Sequence, residues 1–342
     1  MKRAIVTAGA AVAGSALLLT LVLGIAGYPP ARALAAFWDG SFGSWYSLTS
    51  GTLLRATPLL IAGLATAVAF RAGVLNIGVE GQLLIGAATA TAVALHASGP
   101  GFVVIPTAMI GGICGGVAWA AIPAILKRRR NVLEVISTLL LNSVALYLVS
   151  WLVRTSLQES TQTYPQSDLI PAVARLPVLL PQTRLHAGIM LAPLIALGSW
   201  LVMTRTAWGF RLRASGASPF AASSAGMINV PAMTTSALLI SGGLAGLAGA
   251  VEVQGVTYSL HESISPGYGY TAIAVALLAQ LDARAIIPSA LLFAALESGG
   301  AAMQRDAGVP AVLVKVVEAL LILAVLMVDA SRRRASAAKA AA

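Results

Sequence analysis

Apolar residues occur along the chain in long runs that short polar segments separate, a pattern typical of membrane-spanning helices. A helix crosses the hydrocarbon core of a bilayer with roughly 20 apolar residues, and with fewer where neighbouring helices shield a break. The pattern predicts an all-α fold, a polytopic transmembrane bundle with broken or re-entrant helices. The bundle is predicted to have about ten helices, at Ala4–Gly27, Thr57–Phe70, Ile77–Ala97, Phe102–Leu126, Val132–Val153, His186–Thr204, Pro231–Val251, Pro266–Leu281, Ala285–Met303 and Ala311–Val328.

Three of these segments have features beyond plain spans. Thr57–Phe70 and Pro266–Leu281 are short and adjoin glycine-rich polar sequence, which predicts interrupted helices. Ala4–Gly27 follows Met-Lys-Arg and so also resembles a secretory signal. This run exceeds the roughly 7–15 apolar residues of a signal core, which favours a retained span.

The basic residues predict the orientation of the chain. With a cytoplasmic N-terminus, 15 of the 22 Lys and Arg fall on the cytoplasmic side and six on the external side, while Lys315 lies inside the last run. Both termini are therefore predicted to be cytoplasmic. The predicted organisation is one transmembrane domain over 1–330, with external loops at 28–56 and 154–185, a cytoplasmic loop at 205–230, and a basic tail at 331–342.

Composition supports the membrane assignment. The chain has 34 charged residues among 342, where an average soluble protein of that length has roughly 85. Apolar residues make up 58%, which is too many for a soluble globule to bury. The net charge of +10 arises mainly from clusters at span ends, which we expect to lie against anionic lipid rather than nucleic acid.

Sequence signatures of catalysis are missing from the chain. No Lys follows a Gly, so there is no phosphate-binding loop for ATP. The three His residues are far apart in sequence, and the single Cys, Cys114, cannot form an intramolecular disulfide. We predict no catalytic residue, no metal site and no cofactor bound by this chain itself.

The segment 71–82 places polar groups where a continuous apolar helix would be favoured. It contains three Gly together with Asn76, Glu80 and Gln82. A carboxylate at membrane depth costs at least ~2.5–3.5 kcal/mol on insertion scales, so it must face protein or a water-filled cavity. Two interpretations remain open for Glu80: it lines a substrate pathway, or it caps neighbouring helix ends and holds the break together.

A second polar group closes the segment Pro231–Val251 and precedes the next helix. Glu252 and Gln254 lie shortly before Tyr268 and Tyr270. Their hydrogen-bonding and aromatic side chains suit a nucleoside, which offers ribose hydroxyls, base edges and a flat ring, although a hexose would suit them too. We predict Asn76, Glu80, Gln82 and these four residues as the substrate pathway.

The cytoplasmic loop contains a helix of at most two turns. Ser218 is a plausible N-cap, Pro219 fits the first helical position, and Gly226 suits the stop. Such a helix is too short to be stable alone in water, so it needs a groove for Phe220 and Met227. The two alternatives are docking on a partner protein and lying on the lipid surface.

Three ordered segments carry a family resemblance. Asn76–Gln82, Ser265–Leu278 and Arg213–Ile228 resemble the hallmark, re-entrant and coupling segments of permease subunits of bacterial nucleoside and simple-sugar ABC importers. This superfamily also contains ribose and branched-chain amino-acid permeases, and the resemblance runs from about Leu53 to Val328. Where the family has an acidic residue or Asn before the Pro, this chain has Ala217 and Ser218.

The resemblance implies an inner-membrane subunit that translocates nucleosides, or a related sugar-containing solute, by alternating access. It implies a cytoplasmic ATPase subunit that binds the ATP, a second homologous permease in a heterodimer, and an external substrate-binding lipoprotein. The residues it assigns to ATPase coupling are Arg213, Gly216, Ser218, Pro219, Phe220, Ala222, Gly226 and Met227. The alternatives are a ribose or other monosaccharide permease, an ion-coupled secondary transporter, and a structural membrane subunit.

Overall fold

The computed structural model describes residues 17, 20–224, 228–310, 312–316 and 319–320. These residues form helices and loops without any β-strand, which confirms the predicted all-α class. In chain order the helices are α1 (Pro30–Ser41), α2 (Leu54–Arg71), α3 (Val79–His96), α4 (Gly101–Arg130), α5 (Glu134–Leu152), α6 (Gly188–Arg205), α7 (Ala207–Ala217), α8 (Pro219–Ser224), α9 (Val230–Glu252), α10 (Tyr268–Leu278) and α11 (Ile286–Ala307).

Six helices of the described residues are long and apolar enough to cross a membrane. They are α2 with the preceding π-helical turn Ser47–Leu53, α4, α5, α6, α9 with the following π-helical turn Val253–Thr257, and α11. The predicted first span, the predicted last span and the basic tail lie wholly or mostly outside the described residues. The chain is thus a multi-pass membrane protein.

The structure confirms one of the two predicted short segments and lengthens the other. The segment predicted at Pro266–Leu281 is indeed a short helix, the 11-residue α10. The segment predicted at Thr57–Phe70 is longer than expected, because the π-helical turn extends α2 back to Ser47. The polar side chains there bond to backbone carbonyls: Thr49 Oγ1 donates to Trp45 O at 2.7 Å, and Thr52 Oγ1 donates to Ser41 O at 2.9 Å. The stretch 28–56, expected as an external loop, is therefore largely helical.

The contacts group the chain into two compact units. One combines the residues up to Thr52 with those from Leu292 onwards, and the other comprises Leu53–Leu291. In the first unit, Ser41 Oγ donates to Ala295 O at 2.7 Å and Ser298 Oγ donates to Gly40 O at 2.9 Å. The prediction of one domain over 1–330 stays a prediction.

The larger unit is built around α9, which packs against α2, α3 and α4. The backbones approach closely because glycines face each other: a Cβ on Gly246 would collide with Gly112 O, and a Cβ on Gly86 would collide with Gly246. Small residues at such positions allow close packing where lipid supplies no hydrophobic force between helices.

Two breaks interrupt this helical packing. The first, residues 72–78, separates α2 from α3, and the second, residues 258–267, separates α9 from the short helix α10. The segment 154–187, predicted to be largely an external loop, folds over the second break, since Ser167 N donates to Leu260 O at 2.8 Å and Ile170 N donates to Tyr258 O at 2.9 Å. The two breaks are where polar groups meet inside the apolar bundle.

Candidate functional site

Asn76 organises the first break. Its Nδ2 donates to Gln82 Oε1 and to Ser241 Oγ of α9, both at 2.9 Å, while Gln82 Nε2 donates back to Asn76 Oδ1 at 3.2 Å. Asn76 Oδ1 also accepts from Gly78 N at 3.0 Å, just before α3 begins. The side chains of Asn76, Gln82 and Ser241 are all buried. Asn76 and Gln82, both predicted as pathway residues, thus hydrogen-bond to each other, and Asn76 links the first break to Ser241 of α9.

Glu80 connects the two breaks. It lies in the first turn of α3, and its Oε2 accepts a 2.6 Å hydrogen bond from Gly269 N in the first turn of α10. A helix N-terminus carries partial positive charge and free N–H groups. A carboxylate between two helix N-termini is therefore stabilised even in surroundings of low polarity. Of the two interpretations left open by the sequence, this geometry favours capping; a contact of Glu80 with substrate stays a prediction.

Asn142 is part of the site, although it was not among the predicted site residues. Its Oδ1 accepts from Gly81 N at 2.9 Å, and its Nδ2 donates to Ile77 O at 2.9 Å and to Tyr270 Oη at 3.3 Å. Asn142 is buried in the middle of α5. The sequence signal for this residue was an amide side chain in the middle of an apolar span, because polar side chains inside a membrane bundle hydrogen-bond to other helices.

The two tyrosines of α10 face different surroundings. Tyr268 is buried, whereas Tyr270 is 48% exposed and brings its hydroxyl to Asn142. Tyr270 is thus a side chain with both an aromatic face and a polar atom at the surface of the site. This combination can stack on a flat ring and hydrogen-bond to a polar solute.

Glu252 and Gln254 lie apart from the Asn76 cluster. Glu252 is buried and comes 11 residues after Ser241 on the same helix, about 16 Å along its axis. Gln254 Nε2 donates to Ala174 O at 2.9 Å and to Ile105 O at 3.2 Å, and the backbone carbonyl of Gln254 accepts from Leu176 N at 2.8 Å. Gln254 therefore anchors the segment 154–187, while the predicted contact of Glu252 and Gln254 with substrate stays a prediction.

The predicted coupling helix forms as expected over Pro219–Ser224. Ser218 Oγ accepts from Ala221 N at 3.3 Å, the bond expected of an N-cap. Phe220 is 82% exposed, and Ala222 is buried on the opposite side. Gly226 and Met227 lie outside the described residues. A second helix, α7, precedes this segment and was not predicted.

Gly216 joins the coupling segment to the first break. A Cβ on Gly216 would collide with the carbonyl of Arg71 and lie 2.8 Å from Gly73 N, so the backbones of α7 and of the turn after α2 are in direct contact. Arg71 Nε donates in turn to Leu281 O, just after α10, at 3.1 Å. The coupling segment thus contacts the break directly and α10 through one residue.

Two titratable groups outside the long helices, Glu262 and His186, have shifted pKa values. Hydrogen bonds from Arg154 and Ser150 hold the pKa of Glu262 below its usual range, although partial desolvation opposes them. Burial, together with the charge of Arg184, lowers the pKa of His186 to about 4. His186 Nδ1 accepts from Gly188 N at 3.1 Å, which requires the neutral ring. No cluster of three or more potential metal ligands occurs among the described residues.

The architecture defines a class: a helical membrane protein whose broken helices meet at a buried polar site beside a short, capped surface helix. The chain belongs to the family described as branched-chain amino acid transport system / permease component, which matches residues 48–326. It is accordingly a transport component, the permease subunit of an ABC importer.

The chain is similar to several curated permeases. It is 38% identical over 310 residues to the guanosine ABC transporter permease protein NupP of Bacillus subtilis, covering 89% of this chain and 87% of the relative. It is 36% identical to the glucose ABC transporter permease protein TsgB13 of Haloferax volcanii, covering 86% and 80%. It is 31% identical to the nucleoside ABC transporter permease protein NupB of Lactococcus lactis, covering 90% and 86%. B. subtilis and L. lactis each carry a second matching permease, NupQ at 27% and NupC at 26% identity.

Proposed function

We propose that this permease subunit translocates nucleosides inward by alternating access, driven by a separate ATPase. The observation that carries the proposal is the pairing of the half-exposed Tyr270 with the buried Asn142 where the two helix breaks meet. An aromatic face next to a hydroxyl and an amide fits a base and its ribose. NupP and NupB, named for guanosine and nucleosides, support this choice.

A hexose is the second candidate substrate. TsgB13, named for glucose, is nearly as similar to this chain as NupP is. A tyrosine face and amide groups also bind sugars, because pyranose rings offer apolar C–H faces and hydroxyls. Competition between the two solutes decides between the candidates.

The partners follow from the family and from the surface of the chain. The exposed Phe220 on a capped helix supports docking on a cytoplasmic ATPase subunit, which binds the ATP. The ordered segment 154–187 is a surface for an external substrate-binding lipoprotein. The paired relatives NupP/NupQ and NupB/NupC support a heterodimer with a second permease.

Topology in a bacterial inner membrane follows the same assignment. The basic last turn of α4, Lys127–Arg130, and the coupling segment are cytoplasmic, as are both termini in a bundle of about ten membrane segments.

Transport itself provides the main test. The permease is reconstituted in liposomes with its ATPase, second permease and binding protein, and uptake of labelled nucleosides and glucose is measured with and without ATP. We expect ATP-dependent nucleoside uptake that excess glucose does not compete away. Uptake that persists without ATP contradicts the ABC mechanism, and glucose uptake without nucleoside uptake contradicts the substrate.

Cysteine labelling tests the docking surface separately. In a Cys114→Ala background, Ser218→Cys is exposed on the isolated chain and should lose reactivity toward a membrane-impermeant maleimide once the ATPase subunit binds. Ser160→Cys, exposed in the external segment, is the matched control and should react equally with and without the ATPase. Equal labelling of Ser218→Cys in both states contradicts docking there.

A further inference from the structure

An arginine-lined cavity lies beside α6, at the end of the bundle where α7 meets α2. Its volume is about 110 Å³, several times the roughly 10–15 Å³ that one water molecule needs by the same measure. Arg71, Arg213 and Arg284 supply its charge, and Trp200 and Met203 of α6 supply apolar wall. Arg284 and Thr204 are exposed, so the cavity opens to the surface.

The cavity carries net positive charge. Against the three arginines stands one acid, Asp282, whose carboxylate pairs with Arg284 at 3.4 Å. Burial raises the pKa of Asp282, but hydrogen bonds from Arg284 and the charges of Arg284 and Arg71 together lower it below its ordinary value. The acid is therefore ionised near neutral pH, which leaves a surplus of two positive charges.

Arg213 has hydrogen-bonding capacity to spare. Within the described part of the chain its one hydrogen bond runs from Nε to Gly209 O at 3.4 Å, which leaves the terminal nitrogens of the guanidinium for a ligand. The guanidinium of Arg284 lies 4.8 Å from the centre of the Trp200 ring, which fixes it at the wall. Guanidinium groups bind phosphate oxygens through paired N–H bonds, so a phosphate ester is the fitting ligand.

The surroundings of the cavity favour a lipid as the source of the phosphate. Helix α6 has only 17% of its span buried, and Leu194, Leu197 and Leu201 on it are exposed, so acyl chains can lie along this helix. Basic pockets between transmembrane helices at the cytoplasmic end bind lipid head groups.

We propose that this cavity is a binding site for the phosphate head group of an anionic phospholipid. The site holds the head group between Arg213 and Arg284, while the acyl chains lie on α6. Because Arg71 also contacts the carbonyl of Leu281 after α10, the bound lipid rests against the residue that links α10 to the first break. Arg213, assigned to ATPase coupling from the sequence, lies on α7 and lines this cavity.

Lipid binding to the full chain, purified in detergent and stripped of lipid, tests the proposal. Binding of phosphatidylglycerol is measured by native mass spectrometry and as the rise of Tm with added lipid. We expect Arg213→Gln and Arg284→Gln each to weaken binding about fivefold, because a Lys or Arg near an anionic surface contributes about 1 kcal/mol. Asp282→Asn should strengthen it, and Arg284→Lys should retain part of it.

Two controls decide the specificity of the site. Arg211→Gln removes the same charge from an exposed position of α7 outside the cavity and should bind like the wild type. Phosphatidylcholine and inorganic phosphate should not raise Tm. Equal losses for Arg211→Gln and Arg213→Gln overturn the proposal, as does stabilisation by inorganic phosphate equal to that by phosphatidylglycerol.

Discussion

The carboxylate of Glu80 accepts a 2.6 Å hydrogen bond from the backbone N–H of Gly269, a residue 189 positions away in sequence. The bond joins the first turns of α3 and α10, the helices that follow the two breaks in the bundle. A Cβ on Gly269 would collide with the backbone of Glu80, so glycine is required for this approach. One carboxylate therefore holds the N-termini of two helices together.

Replacement of Glu80 tests whether it caps helices or contacts substrate. We expect Glu80→Ala to lower the free energy of unfolding by about 1.5–3 kcal/mol, because the charged hydrogen bond from Gly269 N is lost and the N-terminal turns of α3 and α10 lose a nearby negative charge. Glu80→Gln, which keeps an acceptor, should lose less. The measurement is thermal unfolding in detergent, with the exposed Asp39→Asn as control. A Glu80→Gln protein of wild-type stability that no longer transports contradicts a purely capping role.

The Tyr270 hydroxyl should affect transport more than stability. Tyr270→Phe keeps the ring but removes the acceptor for Asn142 Nδ2. We expect KM for nucleoside uptake to rise roughly fivefold, which corresponds to about 1 kcal/mol of binding. Tyr147→Phe, on an exposed tyrosine of α5, is the matched control. Unchanged KM in Tyr270→Phe argues against this residue in the pathway.

The close approach of Gly216 to the turn after α2 predicts a position that does not tolerate a side chain. Gly216→Val would push its side chain into the Arg71 carbonyl, and overpacking of this kind costs about 1–3 kcal/mol. We expect a lower Tm and reduced substrate-stimulated ATPase activity in the assembled importer. Ala217→Val, at the exposed neighbouring position, should have little effect on either. Similar losses in both variants would mean that the contact is not specific.

The lowered pKa of His186 predicts that stability depends on pH. Its pKa is about 4 in the folded chain against 6.5 for an ordinary His, so the unfolded chain binds a proton first as pH falls. Stability should be full above about pH 6.5 and fall toward pH 4, by at most about 1.4 kcal/mol per pH unit.

Tm measured between pH 7.5 and 5 checks this dependence. His186→Gln removes the titrating group and should flatten the curve, whereas His96→Gln, at an exposed position, should leave it unchanged. A wild-type curve that is already flat over this range contradicts the proposed protonation.

Local features of this protein could be predicted from sequence because their causes are local. The run of apolar residues predicted the spans, and Ser218 with Pro219 predicted the start of α8, since an N-cap bonds three residues away. The prediction at Thr57–Phe70 was too short, because the polar residues before it bond to their own helix and to Ser41 O. A prediction from hydropathy alone assigns these polar residues to a loop.

The sequence by itself determined the helical class, the positions of most spans, and the polar residues that break them. Only the tertiary structure decided which of those residues meet: Glu80 with Gly269, Asn76 with Ser241, and Asn142 with Tyr270. It also placed Gln254 against the segment 154–187 and Arg213 in the lining of the cavity beside α6. The physical reason is that hydropathy and capping act between sequence neighbours, whereas a buried polar group takes its partner from whichever helix packs against it.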